Sequence, residues 1–414
     1  MARTDANHIA LERTRALLNM FRRSKVWNKN PEGSLEEIEI SIISRLKLSQ
    51  QNLRVNSSSP IDALDIITPI LSILRADHLS GTFKAAALQT IQHFVVSDVL
   101  SQVPSRSGDA LAEIVDAVCR TKYMQTDIPS DEYIQIMIIQ VLQAVVRYPV
   151  RYYLTDETAW NIVESCHTVM IHTIRNSGEN LSALVEQTLL DSVRFIFECS
   201  GSSAKGEGKV QSSFGLPCAM KTLGFFVKKL QKFAADVGQS KQKSAPTPTT
   251  NSSNNIDSDI IELLHCLKAI HEMLLAEGDT SKTRAIVMSD PALATMVRDD
   301  LAKCLLMIAS KRDYPPLVLQ HVLTLFGTLV TSLGPVMRIK IECFFIYIYL
   351  KGLVQFHELL SAREEAVTQD DLAARFIMPP ATGFSLEELG VILESLADVI
   401  LAKGFLQSLF ATFD

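Results

Sequence analysis

The chain has 414 residues, 47% of them hydrophobic and 21% charged, enough for two or three packed domains rather than one compact body. A formal net charge of -6 leaves no global basic field and argues against nucleic acid as a partner. Only 17 glycines and few turn dipeptides argue against a fold of many short strands.

The first residues lack the continuous apolar run of a signal peptide, carrying Arg13, Arg15, Arg22, Arg23 and Lys25 among Leu11, Leu17, Leu18, Met20 and Phe21. Leu17 and Phe21 follow ordinary amphipathic spacing, so this helix is expected to pack on the next one rather than lie on lipid. Leu35, Ile38, Ile42 and Leu46 then repeat at helical spacing behind a capping box, Ser34 with Glu37. Ser59 reads as the cap of a following helix with Pro60 at its first position. Further helices run through Leu88, Ile91 and Val95, and through Ile114, Val115 and Val118.

Residues 130–142 carry the densest apolar signal. Ile134, Ile138, Val141 and Val145 share one helical face, and Ile136, Met137, Ile139 and Leu142 fill the others. A helix apolar all round is expected to be enclosed by its neighbours. Tyr148 precedes Pro149 and is biased away from helical torsions, so the chain breaks there and restarts behind Thr155 as N-cap. Another helix follows through Leu181, Val185, Leu189, Val193 and Ile196.

The polar link 201–208 precedes Phe214-Gly215-Leu216-Pro217-Cys218, where a new helical run begins. That places a first domain at 1–200 and a second at 213–414. Within the second, 238–257 is a Ser/Thr/Asn/Pro tract that is predicted disordered, because it cannot bury enough apolar surface to offset its ordering entropy. Lys221, Lys228, Lys229 and Lys232 before it read as a solvated helix face. Asp290-Pro291 repeats the cap-and-proline device, and Ser385 with Glu388 opens a helix near the end. The aromatic, β-branched run 343–350 favours a strand locally. It is read as helix because Arg338, Ile339 and Glu342 before it and Leu353 and Leu359 after it suit one long helix. At eight residues it is also the longest apolar run, well short of the roughly 20 a bilayer needs.

Successive helices with broad apolar stripes and short connections bury those stripes only by stacking. The fold class is therefore all-α, an elongated armadillo/HEAT-like solenoid with degenerate repeats.

No catalytic, cofactor-binding or metal-binding residues emerge. Neither GxGxxG nor GxxxxGK[ST] occurs, so no phosphate-cradling loop is present. His167 and His172 are five apart and His265 and His271 six apart, neither the i, i+4 spacing that puts two imidazoles on one face. The seven cysteines are scattered without a CxxC pair and read as small buried hydrophobes in a reducing compartment.

Several segments resemble one family. Ser130-Asp131-Glu132, Gln140-Val141-Leu142, Leu154-Thr155, Ile162-Val163-Glu164-Ser165-Cys166 and Glu186-Gln187-Thr188-Leu189 are similar to the dimerisation and cyclophilin-binding (DCB) domain of the large Arf guanine-nucleotide exchange factors, most closely the GBF/Gea/GNOM branch. Phe214 to Cys218 resembles the opening of the following homology-upstream (HUS) domain, and Arg338-Ile339-Lys340-Ile341-Glu342 its long middle helix. The family's closing Asn-Tyr-Asp-Cys-Asp box is matched at the end only by Phe413 and Asp414, its aromatic and first acidic members; Thr412 departs from Asn.

The resemblance implies a regulatory and scaffolding module without cofactor, cytosolic and peripheral on Golgi membranes, serving vesicle traffic. Its implied partners are a second copy, the exchange domain of the same protein, Arf/Rab-type small GTPases and the Golgi membrane surface. The exchange domain would follow residue 414, so this chain would have no exchange activity itself. Glu132 matches an acidic residue implicated in dimerisation, and its basic counterpart falls near His93. Two rivals stand beside this reading, with an enzyme as the outside option. One is the trans-Golgi branch or a noncatalytic relative; the other is an unrelated armadillo adaptor, disfavoured because Trp27 and Trp160 cannot supply a ladder of Asn and Trp positions.

Overall fold

The computed structural model describes residues 2–27, 33–55, 62–77, 79–102, 106–122, 128–176, 179–202, 215–235, 253–275, 280–311, 314–368 and 383–401. They are helical throughout, with no strand among the described residues. The chain divides into two compact units, Met1–Ala219 and Met220–Asp414.

The first unit contains α1 (Ala2–Trp27), α2 (Gly33–Val55), α3 (Ala63–Arg75), α4 (Gly81–Val96), the short α5 (Val99–Gln102), α6 (Ser107–Cys119), α7 (Ile128–Arg147), α8 (Asp156–Asn176) and α9 (Glu179–Ser202). Two rows result: α3, α6 and α8 contact one another in succession, as do α4, α7 and α9. The rows are joined by the consecutive pairs α3 with α4, α6 with α7 and α8 with α9, which is solenoid stacking. Ahead of them α1 packs on α2 and α4, burying Leu17 and Phe21, and the Phe21 ring stacks on Phe83 with centroids 4.2 Å apart. The N-terminal helix thus satisfies its apolar face within the protein.

Local chemistry sets the helix ends. Tyr148 is extended and Pro149–Tyr153 forms a 3-10 turn before α8. Thr155 caps α8 through a reciprocal pair: the Thr158 N–H donates to Thr155 Oγ1 at 3.3 Å, and the Thr155 N–H to Thr158 Oγ1 at 2.7 Å. The cap predicted at Ser59 is corrected. Helix α3 begins at Ala63 and its cap is Asp62, whose carboxylate accepts from the Leu64 N–H at 3.1 Å; Ser59 and Pro60 lie outside the described residues.

Helix α10 (Leu216–Ala235) carries the division between the units. The second unit continues with α11 (Ser253–Leu274), α12 (Thr280–Met288), α13 (Pro291–Thr295), α14 (Ala302–Ala309), α15 (Pro316–Leu333), α16 (Arg338–Phe344), α17 (Lys351–Thr368) and α18 (Leu386–Leu401). Short π-helical stretches, Met296–Leu301 and Phe345–Leu350, join α13 to α14 and α16 to α17 without a break. Residues 343–350 are therefore helical despite their β-forming composition. The tract predicted disordered lies outside the described residues up to 252, and its last part, from Ser253, belongs to α11.

Helix α15 is the centre of this unit, touching α11, α12, α14 and α18. Its 18 uncharged residues are long and apolar enough to cross a membrane by length and composition, which an eye on unbroken apolar runs misses. Val318, Val322, Leu325, Phe326 and Leu329 are all buried against its neighbours, so it is a core helix. Phe326 stacks on Phe344 with centroids 3.7 Å apart. The free carbonyl of Phe233 near the end of α10 accepts from the Lys311 ammonium and from the Tyr314 hydroxyl, the latter at 3.1 Å. Two predicted caps hold in this unit. Asp290 accepts from the Ala292 and Leu293 N–H groups at 2.7 and 3.1 Å, while Ser385 and Glu388 form the reciprocal box at 2.6 and 3.2 Å.

Candidate protein-interaction surface

Five of the seven cysteines are buried, as are His167 and His265. Among the described residues no group of three or more His, Cys, Asp and Glu is placed to hold a metal ion. All seven cysteines are free, and burial raises the thiols of Cys119 and Cys304 to about 11 and those of Cys166 and Cys266 further still. Such thiols are protonated at neutral pH and inert as nucleophiles. His167 and His265 are buried, and His271 shares a 3.0 Å hydrogen bond with Thr328 while burial lowers its pKa.

One groove of about 290 Å³ lies between α15 and α18, lined in part by Thr324, Thr328, Thr331, Glu394, Ser395 and Asp398. The three threonine hydroxyls each donate to a carbonyl in the preceding turn of α15, so they do not aim donors across it.

Helix α7 departs from its expected complete enclosure. Ile134, Met137, Ile138, Ile139, Val141, Leu142 and Val145 are buried between α4 and α9, but Tyr133 is exposed and Ile136 and Gln140 are half-buried on the same strip. Arg147 ends that strip, paired with Asp191 of α9 at 2.6 Å. The strip is therefore partly open rather than sealed.

Glu132 stands beside Tyr133 at the start of this strip, half-buried. His93 lies in the last turn of α4, its Nδ1 3.0 Å from Ser97 Oγ. Burial, then the positive charge of Arg13, lowers the His93 pKa, so the imidazole is neutral at physiological pH. Helices α4 and α7 pack on one another: a Cβ on Gly81, the first residue of α4, would touch Ile134, the seventh residue of α7. His93, twelve residues beyond Gly81, lies about 18 Å from that contact along α4. Phe413 and Asp414 lie outside the described residues.

A larger apolar face was not anticipated. On the continuous helix from Arg338 to Thr368, Ile339, Ile346, Tyr347, Leu350 and Val354 point away from the core, with exposures from 50% at Val354 to 71% at Ile339. The opposite face of the same helix is fully buried at Phe344, Ile348 and Tyr349. The helix is anchored there: the Tyr349 hydroxyl lies 2.9 Å from Ser395 Oγ, and burial raises its pKa to about 12. The signal was present in the sequence as a run too apolar for a helix with only one side to bury.

No protein-family model matches this chain. It is 21% identical to the ARF guanine-nucleotide exchange factor GNL1 of Arabidopsis thaliana across 96% of its own length and 30% of that protein's. It is 27% identical to GNOM of the same plant over 44% of the chain and 13% of GNOM. A Golgi-specific brefeldin A-resistance guanine nucleotide exchange factor 1 homolog of Caenorhabditis elegans is 25% identical over 44% of the chain and 9% of that protein. The chain spans less than a third of the length of these curated relatives. Along most of its length the chain is thus similar to one part of the large Arf guanine-nucleotide exchange factors.

Proposed function

We propose that the chain is a noncatalytic regulatory and scaffolding module of a large Arf guanine-nucleotide exchange factor, acting by binding. The observation that carries this reading is that an all-α chain matches 30% or less of each exchange factor. A DCB-like domain over 1–200 and a HUS-like domain over 213–414 are supported by the two compact units, whose boundary falls after Ala219. Self-association, contact with the exchange domain and recruitment to Golgi membranes through Arf/Rab-type GTPases are the functions this part would serve. The name of the Caenorhabditis elegans relative supports the Golgi element. The open strip of α7 with Glu132 and Tyr133 is one docking surface for such contacts.

The test is to mix the purified chain with a separately purified exchange domain from the same protein, and to follow the mass of the chain alone by light scattering over a concentration series. The expected result is saturable binding in the first measurement and a rise in mass above 45.9 kDa in the second. A chain that ignores the exchange domain and keeps the monomer mass throughout contradicts the proposal.

A further inference from the structure

We propose that the outward face of the helix from Arg338 to Thr368, centred on Leu350, is where a second copy of this chain packs, the two helices antiparallel about a two-fold axis. The inference rests on the reading that the chain self-associates and names the face that does it.

The face cannot be relieved by the chain itself rotating the helix. Phe344, Ile348 and Tyr349 hold its other side in the core, and Gly352 lies so close to α18 that a Cβ there would stand 3.0 Å from Ile392. Rigid exposure of this kind is pre-organised for a partner. With Leu353 and Leu360, seven large apolar side chains are exposed along this helix. At about 100 Å² each they offer on the order of 700 Å², beyond the ~300–600 Å² of a typical monomer's largest patch and near the ~800 Å² per partner of a stable interface.

The spacing is self-complementary. Tyr347 and Leu353 lie three residues either side of Leu350, and Ile346 and Val354 four residues either side. A two-fold axis through Leu350 therefore sets Leu350 on its own copy, Tyr347 on Leu353 and Ile346 on Val354, so these five central residues find apolar counterparts, while Ile339 and Leu360 at the ends fall opposite Ser361 and Lys340. The charges bordering the N-terminal half are matched locally. Arg338 lies 3.7 Å from Glu342, and Lys340 lies 3.6 Å from Asp299. With these two cations neutralised, Lys351 is the exposed charge beside the centre of the face, which suits an apolar protein face better than an anionic lipid surface.

The test is sedimentation velocity on the full chain and on the double variant Ile346→Glu, Leu350→Glu, with circular dichroism to check helicity. Because both side chains point outward, helicity is expected to stay unchanged while the dimer dissociation constant rises by at least ~100-fold. A second measurement uses Leu350→Cys, which mild oxidation is expected to convert to a disulfide-linked dimer that the unmodified chain does not form. If the double variant remains dimeric, this face is wrong while self-association stands. A dimer that the Leu350→Cys variant cannot crosslink overturns the antiparallel register. If the unmodified chain is monomeric to ~100 μM, far above the nM range of tight complexes, both this inference and the self-association reading fall. Vesicle binding by a monomer, abolished in the double variant, would overturn the proposal in favour of a lipid surface.

Discussion

Replacing Phe344 by alanine is expected to destabilise the second unit by about 3–5 kcal/mol, the range for an aromatic truncated in a closed core. Phe344 is fully buried, and its ring lies nearly parallel to that of Phe326, centroids 3.7 Å apart and planes 12° apart. Phe326 also meets Tyr349 at 6.5 Å, so the truncation opens a gap at the junction of α15 with the long helix that follows it. Neighbouring side chains are locked by their own contacts and refill that gap only partly. Hydrogen exchange read by mass spectrometry checks this. Amides of α15 and α16 should lose protection, while α4 and α7 in the first unit keep theirs. Uniform loss across both units, or none, would contradict the packing described.

In the first unit the corresponding substitution is Lys84→Glu. Lys84 has no exposed surface, and its ammonium donates to the Lys122 carbonyl. A carboxylate placed there faces a carbonyl oxygen with nothing to donate to it, and the expected loss is about 3–5 kcal/mol, as for other unpaired buried charges. Burial lowers the Lys84 pKa from its ordinary 10.5, with Asp77 opposing weakly. Between the folded value and 10.5 the unfolded chain holds the proton more often than the folded chain, so this group's contribution to stability grows as pH rises through that window. It is lost as pH falls through the folded value. Denaturant unfolding of Lys84→Met over alkaline pH should show that slope removed, and a slope equal to the unmodified protein's would show that Lys84 is not its source.

The helical architecture was legible because its signals are local. Ser385 with Glu388, Asp290 before Pro291, and Tyr148-Pro149 followed by Thr155 each specify a helix end from a few adjacent residues, and each stands where it was expected. Ser59-Pro60 misled because Asp62, three residues later, offers an equally good carboxylate cap nearer the apolar run. The surfaces were harder. Periodicity tells which positions are apolar but not which neighbour covers them, so α7 read as sealed although Tyr133 and Ile136 are partly open. The same ambiguity hid the face at Ile346, Tyr347 and Leu350, where a π-helical stretch shifts the register and sets apolar residues on both sides of the helix. The charge pair that the resemblance implies at His93 and Glu132 would join two chains, so no local signal in one sequence reveals it.

The central claim, the proposal that this chain is a binding module of an Arf exchange factor and performs no exchange itself, is tested most directly by nucleotide release from Arf. Arf loaded with a fluorescent guanine nucleotide is mixed with this chain alone and, separately, with a longer protein, the relative GNOM. Release at the spontaneous rate with this chain and rapid release with the longer protein is the expected result. Acceleration by this chain alone would contradict it.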